Sequence, residues 1–333
     1  MESRIWQVQS PGDKVREVRI PRPTPRAGEV LVRIAASGLN PLDTKIRAGQ
    51  AGHARQPLPA VLGLDMAGTA VEIGSGVKAF RAGDEVYGLV GGVGGLQGTL
   101  ADLISTDASL LAHKPRNLSM RQAAALPLST ITAWEGLVDR ANVHSDQQVL
   151  IHAGAGGVGH VAVQVARAFG AQVFATVSAN KKHIVEGYGA TPIDYHAMSV
   201  DDYLRAFTGG AGFDIVYDTV GGATLDDSFK AVRRYTGHAV SCLGWGTHAL
   251  APLSFRGATY SGVFTLLPLL TGESRAHHGE ILARAAQLAE QGKLVPLVNE
   301  RRFAVSEIDA ALDLVASGAQ GKVVIEVAGD IST

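Results

Sequence analysis

A single cysteine, Cys242, stands among 333 residues, so no internal disulfide can form and no multi-cysteine metal site can be assembled. It falls within residues 238–243, an apolar run that reads as a buried strand, and is expected to be an inert core thiol. The chain also lacks an excess of either charge: 30 lysines and arginines face 31 acids, a formal net charge of −1. No bulk field therefore draws it to nucleic acid or to an anionic membrane. Long apolar runs are missing too. The greasiest stretch, residues 260–270, is too short to span a bilayer and contains Pro268. Residues 1–10 carry no apolar stretch of the secretory kind, which predicts a cytoplasmic protein and makes the sequon Asn117-Leu118-Ser119 a chance match.

What is present is size and a change of texture. With 333 residues, 46% of them hydrophobic, the chain is long enough for about two domains, each with its own core. From residue 4 to about 114, short β-like runs such as 30–34 and 69–73 are broken by Gly and Pro, which predicts a small, mostly antiparallel barrel or sandwich. From about 121 to 264 strand and helix patterns alternate, which predicts βαβ units and a parallel sheet. The tail offers two helices and a last strand. Residues 278–291 place Ile281, Leu282, Ala285, Leu288 and Ala289 on one face. The second helix opens with Ser306 and Asp309 in capping-box spacing and stops at Gly318, and residues 322–327 read as a strand. His277 and His278 are adjacent and expected to be solvated at a helix start.

The apolar strand 149–152 runs directly into Gly154-Ala155-Gly156-Gly157-Val158-Gly159. That string fits the dinucleotide fingerprint, and a chain with 40 glycines can produce it by accident. Its context is more specific. Val158, Val161, Val165 and Phe169 then fall on one helical face, Gly170 sits where a helix stops, and a second strand, 172–177, follows. Glycines let the backbone turn tightly and approach a pyrophosphate, whose charge meets free N–H groups and the positive end of the helix dipole.

An NAD site usually carries an acid about 20 residues past the glycines to hold the ribose hydroxyls. Residues 176–182 contain none; Ser178, Lys181 and Lys182 stand there instead. A hydroxyl and two lysines suit a 2′-phosphate. Lysines covering the first turn of the next helix would oppose its dipole, so the pattern favours NADPH. Residues 213–218 and 238–243 read as further strands, and their ends make Val220, Leu243 and Gly244 candidates to flank the cofactor. Each could equally be sheet filling.

Taken together, this order of motifs resembles the medium-chain dehydrogenase/reductase superfamily, and within it the zinc-free quinone oxidoreductases related to zeta-crystallin. The marks are Gly38-Leu39-Asn40-Pro41-Leu42-Asp43, Gly63-Leu64-Asp65-Met66-Ala67-Gly68, Gly83-Asp84-Glu85-Val86, Ala124-Ala125-Leu126-Pro127 with Thr132-Ala133, the glycine loop, and Gly321-Lys322-Val323-Val324. The resemblance implies a GroES-like β-rich catalytic domain, residues 1–121 and 268–333, and a Rossmann doubly wound parallel-sheet domain, residues 122–267: an α/β protein. The zinc-binding relatives hold their metal at positions that match Asn40, Leu64 and Leu128 here. Leucine cannot ligate Zn²⁺, so no metal is expected. The relay hydroxyl is replaced by Leu42, and the four-cysteine structural lobe is absent.

Without a metal to hold an alkoxide, quinones and α,β-unsaturated carbonyls are the natural hydride acceptors, because charge spreads onto a distant oxygen. Asn40 is a candidate to hydrogen-bond a substrate carbonyl or the nicotinamide ribose, or else is a turn residue before Pro41. Asp43 holds Asn40 or a neighbouring loop. By the same resemblance Thr132 reaches the nicotinamide side, Tyr195 lies near the adenosine end, and Val263, Phe264 and Thr265 offer backbone to the carboxamide. In residues 47–59, where some relatives carry tyrosines, His53 and Arg55 are the polar candidates, and the proton donor stays unassigned. The resemblance also implies a homodimer joined at the strand near residue 260. Enone or enoyl-thioester reduction is an alternative activity, and a non-catalytic NADPH-binding role is an alternative of another class.

Overall fold

The computed structural model describes residues 2–327. In chain order the first eight strands are β1 Glu2–Val8, β2 Arg16–Pro21, β3 Glu29–Gly38, β4 Ala60–Val61, β5 Asp65–Ile73, β6 Glu85–Leu89, β7 Leu103–Asp107 and β8 Leu111–His113. The others are β9 Gln148–Ile151, β10 Gln172–Val177, β11 Thr191–Asp194, β12 Ile215–Asp218, β13 His238–Ser241, β14 Thr259–Gly262, β15 Phe303–Ala304 and β16 Val324–Glu326. They divide between two compact units. One holds the residues up to Leu128, Leu266–Gln291 and those from Pro296 on; the other holds Ser129–Thr265 and Gly292–Val295.

The first unit is built on β3 and β5, whose antiparallel pairing runs from Val30–Ile73 to Gly38–Asp65 with two register shifts. They are the centre of the sheet β15-β16-β3-β5-β6-β8, with β7 also on β3, beside a smaller sheet β2-β1-β4. Every pair is antiparallel except β15 with β16. Val30, Leu31, Val32 and Ile34 are buried, as are Met66, Ala67 and Ala70 on the facing strand. The hydroxyl of fully buried Tyr87 donates to the Leu282 carbonyl at 2.6 Å, which ties this sheet to the Arg275–Glu290 helix. Burying an aromatic of that size is favourable only because its polar end finds a partner.

That helix begins three residues before the predicted start, and His278 is fully buried within it rather than solvated. Only His277 stays half-exposed, against Glu280. The last helix, Ile308–Ala316, is preceded by a 3₁₀ turn at whose start the Glu307 carboxylate accepts from the Ala304 amide at 3.2 Å. Asp309 takes no part in that cap; it accepts from the Val15 amide and pairs with Arg47.

The second unit is a six-stranded, all-parallel sheet of order β11-β10-β9-β12-β13-β14. The order reverses beside β9, the place where open parallel sheets receive ligands at their carboxyl ends. Leu150, Phe174, Ile193, Phe213, Val216 and Phe229 are among its core. Parallel strands covered on both faces need such unbroken apolar runs. Cys242 lies just past β13 and is partly exposed; burial still pushes its thiol up to about 12. Among the described residues no helix is long and apolar enough to cross a membrane.

Candidate functional site

In the second unit β9 ends at Ile151, and residues 152–158 turn into the Gly159–Ala168 helix. Ala153 takes a left-handed φ of 52°, and its amide donates to Thr176 Oγ1 at 3.0 Å. A Cβ at Gly159 would lie 2.1 Å from the Ala153 carbonyl oxygen, and one at Gly154 would lie 2.5 Å from Ala175 Cβ on β10. Those two glycines are fixed by packing. A Cβ at Gly157, by contrast, would meet nothing within 4 Å. The loop is thus tight beneath and open above, at the amino end of a ten-residue helix whose His160 and Ala162 N–H groups donate back to the Gly156 and Val158 carbonyls of the turn. Val158 leads into that helix, and Val161 and Val165 are buried as their spacing predicts.

His152, at the root of the loop, is buried, with Nδ1 3.2 Å from Thr176 Oγ1 and Nε2 without a hydrogen-bond partner among the described residues. Burial pushes its imidazole down to about 4, against the pull of Asp218.

The register Val177↔Asp194 sets Ser178 and Tyr195 at the ends of neighbouring parallel strands. Ser178 Oγ donates to Asn180 Oδ1 at 2.7 Å. Tyr195 is 54% exposed and lies against the His196 ring, centroids 4.2 Å apart. The two lysines part company here. Lys182 Nζ is 3.5 Å from Asp194 Oδ2, while Lys181, in the Ala179–Lys181 turn, makes no ion pair among the described residues. Asp194 as a partner for Lys182 is a relationship the sequence reading missed.

Further along the same sheet edge, fully buried Asp218 accepts from the Val220 amide at 3.0 Å, the Gly221 amide at 2.9 Å and Ser241 Oγ at 2.6 Å. It holds the β12 turn, leaving Val220 49% exposed. Leu243 follows β13 with its amide on Ser241 Oγ, and Gly244 admits the Tyr260 hydroxyl where a Cβ would lie 2.2 Å from it. Past β14, Val263 and Thr265 are buried and Phe264 meets Trp245 edge-on. Thr132 and Thr265, 133 positions apart, share a 2.8 Å hydroxyl contact. Thr132 therefore does not spend its hydroxyl only on its own helix. Its carbonyl accepts from Tyr217 at 2.6 Å.

The first unit holds a second cluster. Asp43, on the Pro41–Arg47 helix, accepts from the Asn40 amide with one oxygen and from the Gly63 amide with the other, each at 2.7 Å. Gly63 takes φ 92°, and a Cβ there would lie 2.4 Å from Thr99 Oγ1. Burial raises the Asp43 carboxyl to about 7 against those two donors. Asn40 Nδ2 donates to Asp65 Oδ2 at 3.0 Å, and its Oδ1 accepts from Lys322 Nζ. Lys322 Nζ is also 3.0 Å from Asp65 Oδ2, and Asp65 Oδ1 accepts from the Leu128 amide at 2.8 Å. Asn40, Leu64 and Leu128 thus gather around Asp65, with the Lys322 ammonium among them. Among the described residues no group of three or more His, Cys, Asp or Glu is placed to hold a metal.

Asn40, a candidate hydrogen-bond donor to substrate, has its amide engaged within this cluster, and Asp43 holds both Asn40 and the Gly63 loop. Lys322 and Asp65 were missed as partners, although a lone lysine entering an apolar run at Gly321-Lys322-Val323-Val324 is a visible signal.

Comparison with known proteins gives two family matches: an alcohol dehydrogenase GroES-like domain over residues 26–116 and a zinc-binding dehydrogenase domain over residues 157–272. The chain is 36% identical over 318 residues to a 2-methylene-furan-3-one reductase of Solanum lycopersicum, covering 93% of this chain and 74% of that protein. It is 35% identical over 318 residues to a chloroplastic NADPH-dependent alkenal/one oxidoreductase of Arabidopsis thaliana, covering 93% and 75%. An alcohol dehydrogenase superfamily protein from Novosphingobium aromaticivorans superposes with TM-score 0.96 at 55% identity, covering 98% of this chain and 99% of that one. The quinone oxidoreductase from Coxiella burnetii superposes with TM-score 0.81 at 30% identity, covering 98% and 100%. The chain belongs to the medium-chain dehydrogenase/reductase superfamily, with a GroES-like domain and a Rossmann domain.

Proposed function

We propose that this chain is an NADPH-dependent, zinc-independent reductase that delivers hydride to a conjugated carbonyl, either a quinone or an enone. The observation that carries the reading is the open cradle over Gly157 at a helix amino terminus, with Ser178 and Lys181 following the neighbouring strand β10 and Tyr195 following the next strand, β11. When bound, NADPH supplies the hydride. The turn Gly154–Gly159 would receive the pyrophosphate on its backbone amides, with Val158 leading into the helix. Ser178, Lys181 and Tyr195 would receive the 2′-phosphate end, and Lys182, shared with Asp194, would add a weaker attraction. Val220, Leu243 and Gly244 would flank the ribose, Val263, Phe264 and Thr265 would present backbone to the carboxamide, and the Thr132 hydroxyl would turn toward the nicotinamide. Asn40 and Asp43 are positioning residues in this reading.

Zinc independence is supported by Leu64 and Leu128, which offer no donor atom. A homodimer through β14 is supported by that strand's place at the sheet edge, with Thr259, Tyr260 and Gly262 exposed. Sedimentation at a dimer mass would agree with it, and a strictly monomeric mass would remove it.

The test is NADPH oxidation followed by absorbance with a small quinone, an enone and an enoyl thioester, each repeated with NADH and with a chelator. Chelator-resistant turnover that prefers NADPH is expected, and the best acceptor names the substrate class. NADPH binding without turnover of any acceptor would overturn the reductase reading in favour of a binding protein.

A further inference from the structure

Beside the Pro41–Arg47 helix the first unit carries a cleft of about 340 Å³, at the small end of the range for small-molecule sites. Its walls include Ile46, Ala51, Pro57 and Leu58, and its two polar side chains are Gln56 and Arg55. Gln56 is engaged at both ends: Nε2 donates to the Leu96 carbonyl at 3.2 Å and Oε1 accepts from the Gly95 amide at 2.8 Å, which pins one loop to the other. Arg55 is exposed, and its guanidinium has no hydrogen-bond or ion-pair partner among the described residues. Its backbone is held at φ 47°, in the left-handed region that a residue with a side chain rarely adopts.

The segments that form the cleft carry charge of one sign, and the acids nearest the helix, Asp309 and Asp313, are held by Arg47. Residues 44–64 include Lys45, Arg47, His53 and Arg55 and contain no acid, and neither do residues 91–98, the loop packed against them. Arg47 is committed to Asp309 and Asp313. Apolar walls with one uncommitted guanidinium complement a ligand with an apolar chain and an anionic head.

Resting on the reductase reading, we propose that this cleft binds such an amphipathic anion through Arg55, and that the natural acceptor is a conjugated carbonyl on an apolar chain ending in a carboxylate or phosphate. A neutral quinone leaves the guanidinium unmatched; an alkenoic acid or a phosphate-bearing thioester does not.

The test is calorimetric binding of decanoate, decyl phosphate and decan-1-ol to the wild-type chain, Arg55→Gln, Arg55→Lys and the surface control Arg81→Gln. Both anions are expected to bind the wild type, with decanol about tenfold weaker, the size of one charge-assisted hydrogen bond. Arg55→Gln should lose about tenfold for the anions and little for decanol, Arg55→Lys should recover part, and Arg81→Gln should match the wild type. The tighter anion identifies the head group. Equal binding of anion and alcohol, an unchanged Arg55→Gln, or an equal loss in Arg81→Gln would each overturn the site. Wild-type NADPH-dependent turnover of a neutral enone and of a long-chain conjugated carbonyl ending in a carboxylate is measured in parallel. Turnover of neither alongside tight anion binding would sink the reductase reading, whereas turnover without anion binding would sink only the Arg55 site.

Discussion

The ammonium of Lys322 and the carboxylate of Asp65 meet at 3.0 Å across 257 positions of sequence, with side chains 6% and 0% exposed. Neither charge could be buried alone, because the desolvation cost of one unpaired ion amounts to several kcal/mol. Here each charge is shared: Lys322 reaches Asn40 as well, and Asp65 also receives the Asn40 amide and the Leu128 N–H. The network fixes the start of the Pro127–Trp134 helix and the turn before the Pro41–Arg47 helix together.

Lys322→Met should therefore destabilise the protein by roughly 3–5 kcal/mol, read by denaturant unfolding, because it strands the Asp65 charge. Adding Asp65→Asn to it should recover part of that loss. Additive losses in the double variant would show that the two groups do not act as a pair.

The glycine loop allows a sharp contrast. Gly157→Val adds its side chain into open space, so the melting temperature should hold while NADPH affinity falls by tenfold or more, checked by fluorescence titration. Gly159→Ala drives a Cβ into the Ala153 carbonyl and should destabilise the fold itself. A Gly157→Val chain that binds NADPH normally would remove the cradle from the cofactor site.

Cofactor preference should separate the two lysines. Lys181→Ala is expected to raise the KM for NADPH about tenfold or more with little change for NADH, since the 2′-phosphate is the only difference between them. Lys182→Ala, already paired with Asp194, should have the smaller effect. The reverse ranking in steady-state kinetics would transfer the phosphate to Lys182.

Two buried groups set the pH dependence of stability from opposite sides. Asp43 is raised from 3.8 to about 7 chiefly by burial, so the folded state holds its proton more tightly than the unfolded one. Its contribution is full below about 4 and is lost as pH rises through about 7. His152 is lowered from 6.5 to about 4, again chiefly by burial; its contribution is present above 6.5 and is lost as pH falls through about 4. The two windows overlap between about pH 4 and 6.5 with opposite slopes, so denaturant unfolding across that range should show stability rising more steeply with pH in Asp43→Asn and falling more steeply with pH in His152→Gln. Slopes that match the wild type in both would contradict these shifts.

The glycine turn, its buried helix face and the strand–helix alternation were legible in the sequence because each is a local pattern. Local legibility failed where a partner came from far away. His278 reads as a helix-start residue by position, yet the Arg275–Glu290 helix begins earlier and turns it inward. Asp309 fits a capping box by spacing, yet Arg47 and the Val15 amide occupy it. Lys181 and Lys182 are equivalent as letters, and only the parallel pairing of β10 with β11 brings Asp194 to one of them.

By itself the sequence determined that no internal disulfide can form, that the chain has a β-rich part and an alternating strand–helix part, and that one strand runs through a glycine-rich turn into a helix. Only the tertiary structure decided which charges are consumed by one another and which remain, Lys322 on Asp65 and Arg47 on Asp309 against Lys181 and Arg55. The physical reason is that backbone turns and helix faces depend on residues a few positions apart. The fate of a buried charge depends instead on groups that sequence holds hundreds of residues away and folding brings within 3 Å.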